Sequence, residues 1–299
     1  VVKYISELNR FFDEHKEYQI IHGHLSSLAV FYLGVAKKYN VPWRIAHSHG
    51  AGFLHTLKGT AKYLLFRTTK WNANVRLACS TEASKYLYGK DTFEFVPNGI
   101  DVDRFTFDEN KRIEMRKMLG IRDEYVIGHV GRFNLQKNHE YLLRIFKEVQ
   151  QKTPNIKLLL LGEGELFSKI QNLAEDLEIK DKIIFAGVHK DVENYYQAMD
   201  AFVLPSLFEG LPVTGIEAQY SGLPCFFSDE VTREVKICSD TKFLKIGNEN
   251  LGLWVDAISQ QRINKERNKI ELITKKFDIR TAAKSMEKRY IDLWKQSNS

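Results

Sequence analysis

Apolar runs and amphipathic stretches alternate along the chain with few breaks. Ten short runs read as strands: QIIHGH (19–24), WRIAHSH (43–49), RLACS (76–80), TFEFVPN (92–98), YVIGHVG (125–131), IKLLLLGEG (156–164), KIIFAGV (182–188), AFVLPS (201–206), PCFFSD (224–229) and KFLKIG (242–247). Runs as unbroken as LLLL belong to strands covered on both faces, the condition of a parallel sheet. Stretches such as HEYLLRIFKEVQQK after Asn138 carry the helical period and serve as crossovers between neighbouring parallel strands. The pattern predicts an α/β protein of two doubly wound, Rossmann-like domains.

The Asn98-Gly99 turn, followed by a polar stretch and the charged helix NKRIEMRKMLG, marks the boundary. It separates a domain over residues 1–110 from one over 111–299, with a last helix over 280–296 expected to pack back on the first domain. Four strands precede the boundary and six follow it. The chain opens Val1-Val2-Lys3 inside a helical pattern, so the first domain is expected to be truncated, without its opening βα units.

Composition narrows the class. A length of 299 residues with 43% hydrophobic content suits two cores. Cys79, Cys225 and Cys238 show no paired spacing, which argues against a disulfide framework and for a reducing, cytoplasmic setting. No apolar stretch reaches the ~18–20 residues of a membrane span. A net charge of +6 is mild; it is compatible with phosphorylated substrates or anionic membranes, and no nucleic-acid partner is expected.

The densest chemistry lies in PSLFEGLPVTGIEAQYSGLPCFFSD, from Pro205 to Asp229. Glu209 closes an apolar strand, a Gly turn follows, and Glu217 sits one or two turns into the next helix. A strand, a Gly turn and a helix N-terminus bind anions through free backbone N–H groups and the helix dipole. Carboxylates placed there repel phosphate and suit neutral hydroxyls. A ligand with both is a nucleotide sugar. Gly131, Arg132 and Lys137 follow another strand, and two cations at its mouth suit a diphosphate, Arg as a fork and Lys as a point charge; a solvated loop with ordinary surface charges is the plain alternative.

These segments, with HSHG (47–50), PNGID (97–101) and GRFNLQKN (131–138), resemble in order the motifs of family-4 retaining glycosyltransferases of the GT-B fold, among them bacterial exopolysaccharide and capsule enzymes. The resemblance implies that Arg132 and Lys137 hold the diphosphate and that the backbone at Gly210 and Leu211 assists. It implies further that Glu217 binds the ribose, that the turn at Val188 lines the base, and that Glu209 contacts the transferred sugar. One of His47 and His49 is expected to meet the sugar from the first domain; Gly50 behind it favours His49, which with Glu209 makes the catalytic pair. No metal and no cofactor are implied.

Other features are weaker. His22 and His24 close one strand and His47 and His49 the next, so alternation puts each pair on one face; they read as a chelating set or as ordinary structural histidines. Asp101-Val102-Asp103 has the form of a metal-holding D-x-D but follows Asn-Gly, where Asp suits turns and caps. LGEGE (161–165) lacks the third glycine of a dinucleotide fingerprint and reads as a tight turn at a cleft edge. Lys58, Lys62, Phe66 and Lys70, with Trp71, form a stripe fitting a peripheral membrane surface or a solvated face.

The expected function is transfer of a sugar from a UDP-linked donor, with retention, to a saccharide or lipid-linked acceptor in surface polysaccharide biosynthesis. A nucleotide-sugar epimerase on the same fold and a non-catalytic anion-binding protein are the alternatives.

Overall fold

The computed structural model describes residues 1–50, 52, 57–263, 267 and 275–298. The side chain of Lys58 lies outside the described residues. The chain divides into two compact units, Val1–Gly99 with Glu209–Leu211 and Lys276–Ser299, and Ile100–Phe208 with Pro212–Lys275.

The first unit holds β1 (Ile20–Gly23), β2 (Trp43–Ser48), β3 (Val75–Ala78) and β4 (Glu94–Phe95), all parallel in the order β1-β2-β3-β4. Pro97 has no N–H for a ladder, and β4 is only two residues long where the pattern predicts seven. The helix Ile279–Ser297 belongs to this unit; its Met286, Tyr290 and Leu293 pack with Ile45 and Leu77 of the sheet. Asp278 caps that helix by accepting from the Arg280 N–H at 2.9 Å, and Trp43 Nε1 donates to Ser297 Oγ at 2.8 Å.

The second unit holds β5 (Tyr125–Val130), β6 (Ile156–Leu161), β7 (Ile183–Gly187), β8 (Ala201–Leu204), β9 (Cys225–Ser228) and β10 (Lys242–Leu244). All are parallel, in the order β10-β9-β8-β5-β6-β7. The chain winds from β5 out to β7, then returns to the other side of β5 as β8. The carboxyl ends of β5 and β8 are therefore the switch point, where open α/β sheets bind ligands. Here the core runs through Ile127, Leu142, Phe146, Leu158, Leu160 and Val203, all fully or almost fully buried.

Two sequence expectations shift. Residues 100–110, expected in the first domain, group with the second unit. The cause is a charge network: Asp200 accepts from Arg112 at 2.5 Å, Arg116 at 3.2 Å and the Val126 N–H at 2.8 Å, tying the helix Glu109–Met118 to β5. Asp108 N–H also donates to Gln197 Oε1 at 3.1 Å. Second, Glu209 does not close a strand, because β8 stops at Leu204 before Pro205 and Glu209 lies in the loop beyond. Cys79 and Cys225 are buried free thiols, as their apolar neighbours predict. Among the described residues no helix is long and apolar enough to cross a membrane.

Beneath the β5 loop lie two buried histidines. His129 Nδ1–H donates to the Val203 carbonyl at 2.8 Å; its Nε2 and both nitrogens of His139 are buried without partners among the described residues. The His139 ring stacks on Phe133 at 4.1 Å. Burial, with Lys137 adding repulsion, lowers His129 to about 3 and His139 to about 2. Below about pH 6.5 the unfolded chain protonates these rings and the folded chain does not. Stability is then lost as pH falls from about 6.5 toward about 3, at about 1.4 kcal/mol per pH unit per ring. His139→Phe keeps the stack and removes two unsatisfied nitrogens, so urea denaturation should show stability equal to or above the parent at pH 7 and a smaller loss at pH 5. A parent-like pH slope in the variant would contradict this account.

Candidate functional site

The residues of the second unit expected to meet the donor sit on loops knitted by backbone contacts. Gly131 N–H donates to Leu161 O at 3.0 Å and Phe133 N–H to Glu163 O at 2.8 Å, so the loops after β5 and β6 run together. A Cβ on Gly162, whose φ is +133°, would stand 2.1 Å from the Gly131 carbonyl oxygen; one on Gly164 would stand 2.4 Å from the Phe133 oxygen. LGEGE is therefore more than an edge turn: only glycine allows this approach. Gly162 N–H also donates to Gly187 O at 2.7 Å, which brings the β7 turn and Val188 alongside. Arg132, Gly162–Glu165 and the exposed Val188 line a cavity of about 650 Å³.

Two cations stand at this edge. Arg132 is exposed and reaches Glu165 at 3.3 Å, a loose surface pair. Lys137 closes a short 3-10 turn, Leu135–Lys137, that Asn134 caps by accepting the Lys137 N–H at 3.1 Å. Its stem runs back over Gly131, since a Cβ there would lie 3.1 Å from Lys137 Cδ and Cε. Asn138 then adopts the left-handed conformation (φ 56°, ψ 46°), which Asn tolerates, and the helix His139–Lys152 begins.

The β5 and β8 loops are laced across the switch point by residues that the motif alone did not assign. Leu207 N–H donates to Gln136 O at 2.8 Å, Gln136 Nε2 to Phe208 O at 3.0 Å, and Asn138 Nδ2 to Pro205 O at 3.1 Å. Glu217 lies in the second turn of the helix Val213–Tyr220. Its Oε2 accepts from the buried Tyr196 hydroxyl at 2.8 Å. Burial raises its pKa, the Tyr196 bond opposing. Nearby Glu193 pairs with Arg104 at 2.8 Å.

Glu209–Leu211 group with the first unit, where Glu209 is 7% exposed and a Cβ on Gly210 would meet the His49 carbonyl oxygen at 2.2 Å. The four histidines of that unit gather as strand alternation predicts: ring centroids are 4.1 Å apart for His22–His24 and for His47–His49, and 5.2 Å for His24–His47. His47 is buried, whereas His49 is half-buried just beyond β2. His49 Nδ1–H donates to Asn98 Oδ1 at 2.8 Å, and His49 Nε2 lies 3.0 Å from His24 Nδ1. A sugar hydroxyl reaching the His49 ring has to displace one of these bonds. Asn98 belongs to the PNGID segment, where it reads from sequence as a turn residue only.

Asp101 occupies the N-cap position of the short helix Val102–Phe105 without a side-chain capping bond. Among the described residues the one group of three or more side chains close enough to share a metal ion is His22, His24 and His47, which does not include Asp101 or Asp103. The basic stripe is only partly preserved: Lys62 is exposed, Phe66 is half-buried and Lys70 pairs with Asp91 at 3.3 Å.

Gly162→Ala should destabilise the protein by at least about 1–3 kcal/mol, since a side chain there meets both a forbidden φ and a fixed carbonyl. Gly252→Ala, with open space at its Cβ in a helix, should be neutral or stabilising. Urea midpoints compare the two directly, and equal midpoints would remove the close approach as a constraint.

Comparison with known proteins agrees with this geometry. The family model for glycosyl transferases group 1 matches residues 111–280. Over 256 residues the chain is 31% identical to the putative glycosyltransferase EpsF of Bacillus subtilis, covering 83% of this chain and 67% of that protein. Over 230 residues it is 30% identical to the UDP-Gal:alpha-D-GlcNAc-diphosphoundecaprenol alpha-1,3-galactosyltransferase of Escherichia coli, covering 72% of this chain and 58% of that one. The chain thus spans about two thirds or less of these relatives' lengths. The crystal structure of Anabaena HepE in complex with UDP-glucose superposes with a TM-score of 0.80 at 16% identity, over 95% of this chain and 82% of that one. The chain belongs to the group 1 glycosyl transferases and has the GT-B fold.

Proposed function

We propose that this chain carries the donor machinery of a retaining, family-4-like glycosyltransferase that moves a sugar from a UDP-sugar to a saccharide or lipid-linked acceptor in surface polysaccharide assembly. One observation carries the reading. At the end of β5 in the second unit, Lys137 folds over Gly131 beside Arg132, and Arg132 lines the cavity formed with the β6 and β7 turns. Two cations beside a backbone-lined cavity fit a diphosphate next to a flat base. The names of the E. coli relative and the HepE complex, each with a uridine nucleotide sugar, support the choice of base.

In this reading Arg132 and Lys137 take the charge that grows on the leaving diphosphate, the role a divalent ion plays elsewhere. The backbone at Gly210 and Leu211 assists. The backbone at Gly187 and Val188 lines the base. Glu217, with Oε2 committed to Tyr196, offers its other oxygen to the ribose hydroxyls. Glu209 and His49 contact the transferred sugar. In this reading Glu209 is the one carboxylate assigned to the transferred sugar, where double displacement would need a second. The acceptor hydroxyl therefore attacks from the face the diphosphate leaves, the bond to the phosphate oxygen breaks, and that oxygen takes the hydroxyl proton. Peripheral contact with an anionic membrane belongs to the same reading, supported by exposed Leu64, Leu65 and Trp71 near Lys62.

Calorimetry separates the roles. Arg132→Ala and Glu217→Ala should each weaken UDP binding about tenfold or more, since each removes a charge-assisted bond of about 1.5–3 kcal/mol. Glu209→Ala should spare UDP affinity and abolish turnover of the intact donor. UDP affinity unchanged in both of the first two variants would remove the donor assignment. UDP titrations in EDTA and in manganese should give the same affinity; a large gain with manganese would mean that the cations do not suffice for the diphosphate.

A further inference from the structure

The histidine cluster of the first unit has a fixed arrangement of protons. A carbonyl oxygen only accepts, so His47 Nε2 must carry the proton it shares with Val96 O at 3.3 Å, and Nδ1 holds a lone pair. Asn98 Oδ1 likewise requires the proton on His49 Nδ1, which leaves His49 Nε2 to accept from His24 Nδ1–H at 3.0 Å. The lone pair of His24 then falls on Nε2. In the tautomer whose His22 Nδ1–H donates to the Tyr290 hydroxyl oxygen at 2.6 Å, the lone pair falls on Nε2.

Among the described residues, His22 Nε2 and His47 Nδ1 are buried with no hydrogen-bond partner, and His47 is only 5% exposed. Ring nitrogens of His22, His24 and His47 lie within 4.8 Å of one another. Polar atoms left buried and unmatched are destabilising, so a ligand that satisfies them is favoured.

We infer that His22, His24 and His47 form a binding site for a transition-metal ion of the zinc class. Three observations carry it: three imidazoles with ring nitrogens within 4.8 Å of one another, two buried nitrogens that no described residue satisfies, and outer partners on other ring atoms. The last is the usual support of metal-bound histidine, whose second nitrogen is held by a carbonyl or another polar group. Here Val96 O holds His47, Tyr290 holds His22 and His49 holds His24. Three nitrogens leave a tetrahedral ion one position for water or a hydroxyl ligand. The ion would join the ends of β1 and β2 beside His49. It is separate from the diphosphate cations of the second unit and does not depend on the donor assignment.

Cobalt(II) titration of the untagged, full chain tests the site. One ion per chain with the visible bands of a tetrahedral centre, displaced by zinc, is the expected result. His22→Ala and His47→Ala should each abolish it, with circular dichroism confirming that the variants fold. Tyr290→Phe, which leaves every ligand in place, should weaken binding about tenfold or more through loss of the outer partner. Absence of stoichiometric cobalt, or binding unaffected in folded His22→Ala and His47→Ala, would overturn the inference.

Discussion

The Gly131 carbonyl stands 2.1 Å from the place a Cβ on residue 162 would occupy, and the binding face of the second unit depends on that approach. Because two strand-end loops pack backbone to backbone, their polar groups satisfy one another: Gly131 to Leu161, Phe133 to Glu163, Gly162 to Gly187. The ends of β5, β6 and β7 are thereby locked into one edge. Arg132, Lys137 and Val188 sit on this edge. In the proposed reading, a pre-shaped edge suits a reaction in which charge develops on the leaving group, because Arg132 and Lys137 would need little rearrangement.

Topology supplies the second constraint. The return of β8 to the far side of β5 puts two loops side by side at the switch point, and Gln136 and Asn138 stitch them. The stitching fixes where the chain leaves for Glu209. Beneath it, neutral His129 and His139 carry Phe133 and the turn that holds Lys137. These rings fill space without adding charge under a cation, at the cost of acid sensitivity.

Much of this was legible in the residues. All ten strands fall where the apolar runs place them, because a parallel strand buried on both faces leaves an unbroken run such as IKLLLL. The Glu-rich turn, the Arg-Lys loop and the paired histidines were also visible, since alternation alone puts His22 beside His24. What was not legible depends on distant partners. Asp200 draws the helix Glu109–Met118 into the second unit across some eighty residues of chain, and no local signal reports it. Tyr196 lies in an ordinary amphipathic helix until Glu217 is placed against it. The weight of LGEGE rests on which backbone it meets, and a lone G-x-G cannot say.

The central claim is that the cations at the end of β5 recognise a diphosphate attached to a nucleoside. Calorimetric titration of the chain with uridine, UMP and UDP under one set of conditions tests it most directly. The account predicts rising affinity along that series, with the step to UDP about tenfold or more and reduced by added salt, as charge-assisted bonds at an exposed edge require. Uridine binding as tightly as UDP, or a salt-insensitive series, would contradict it.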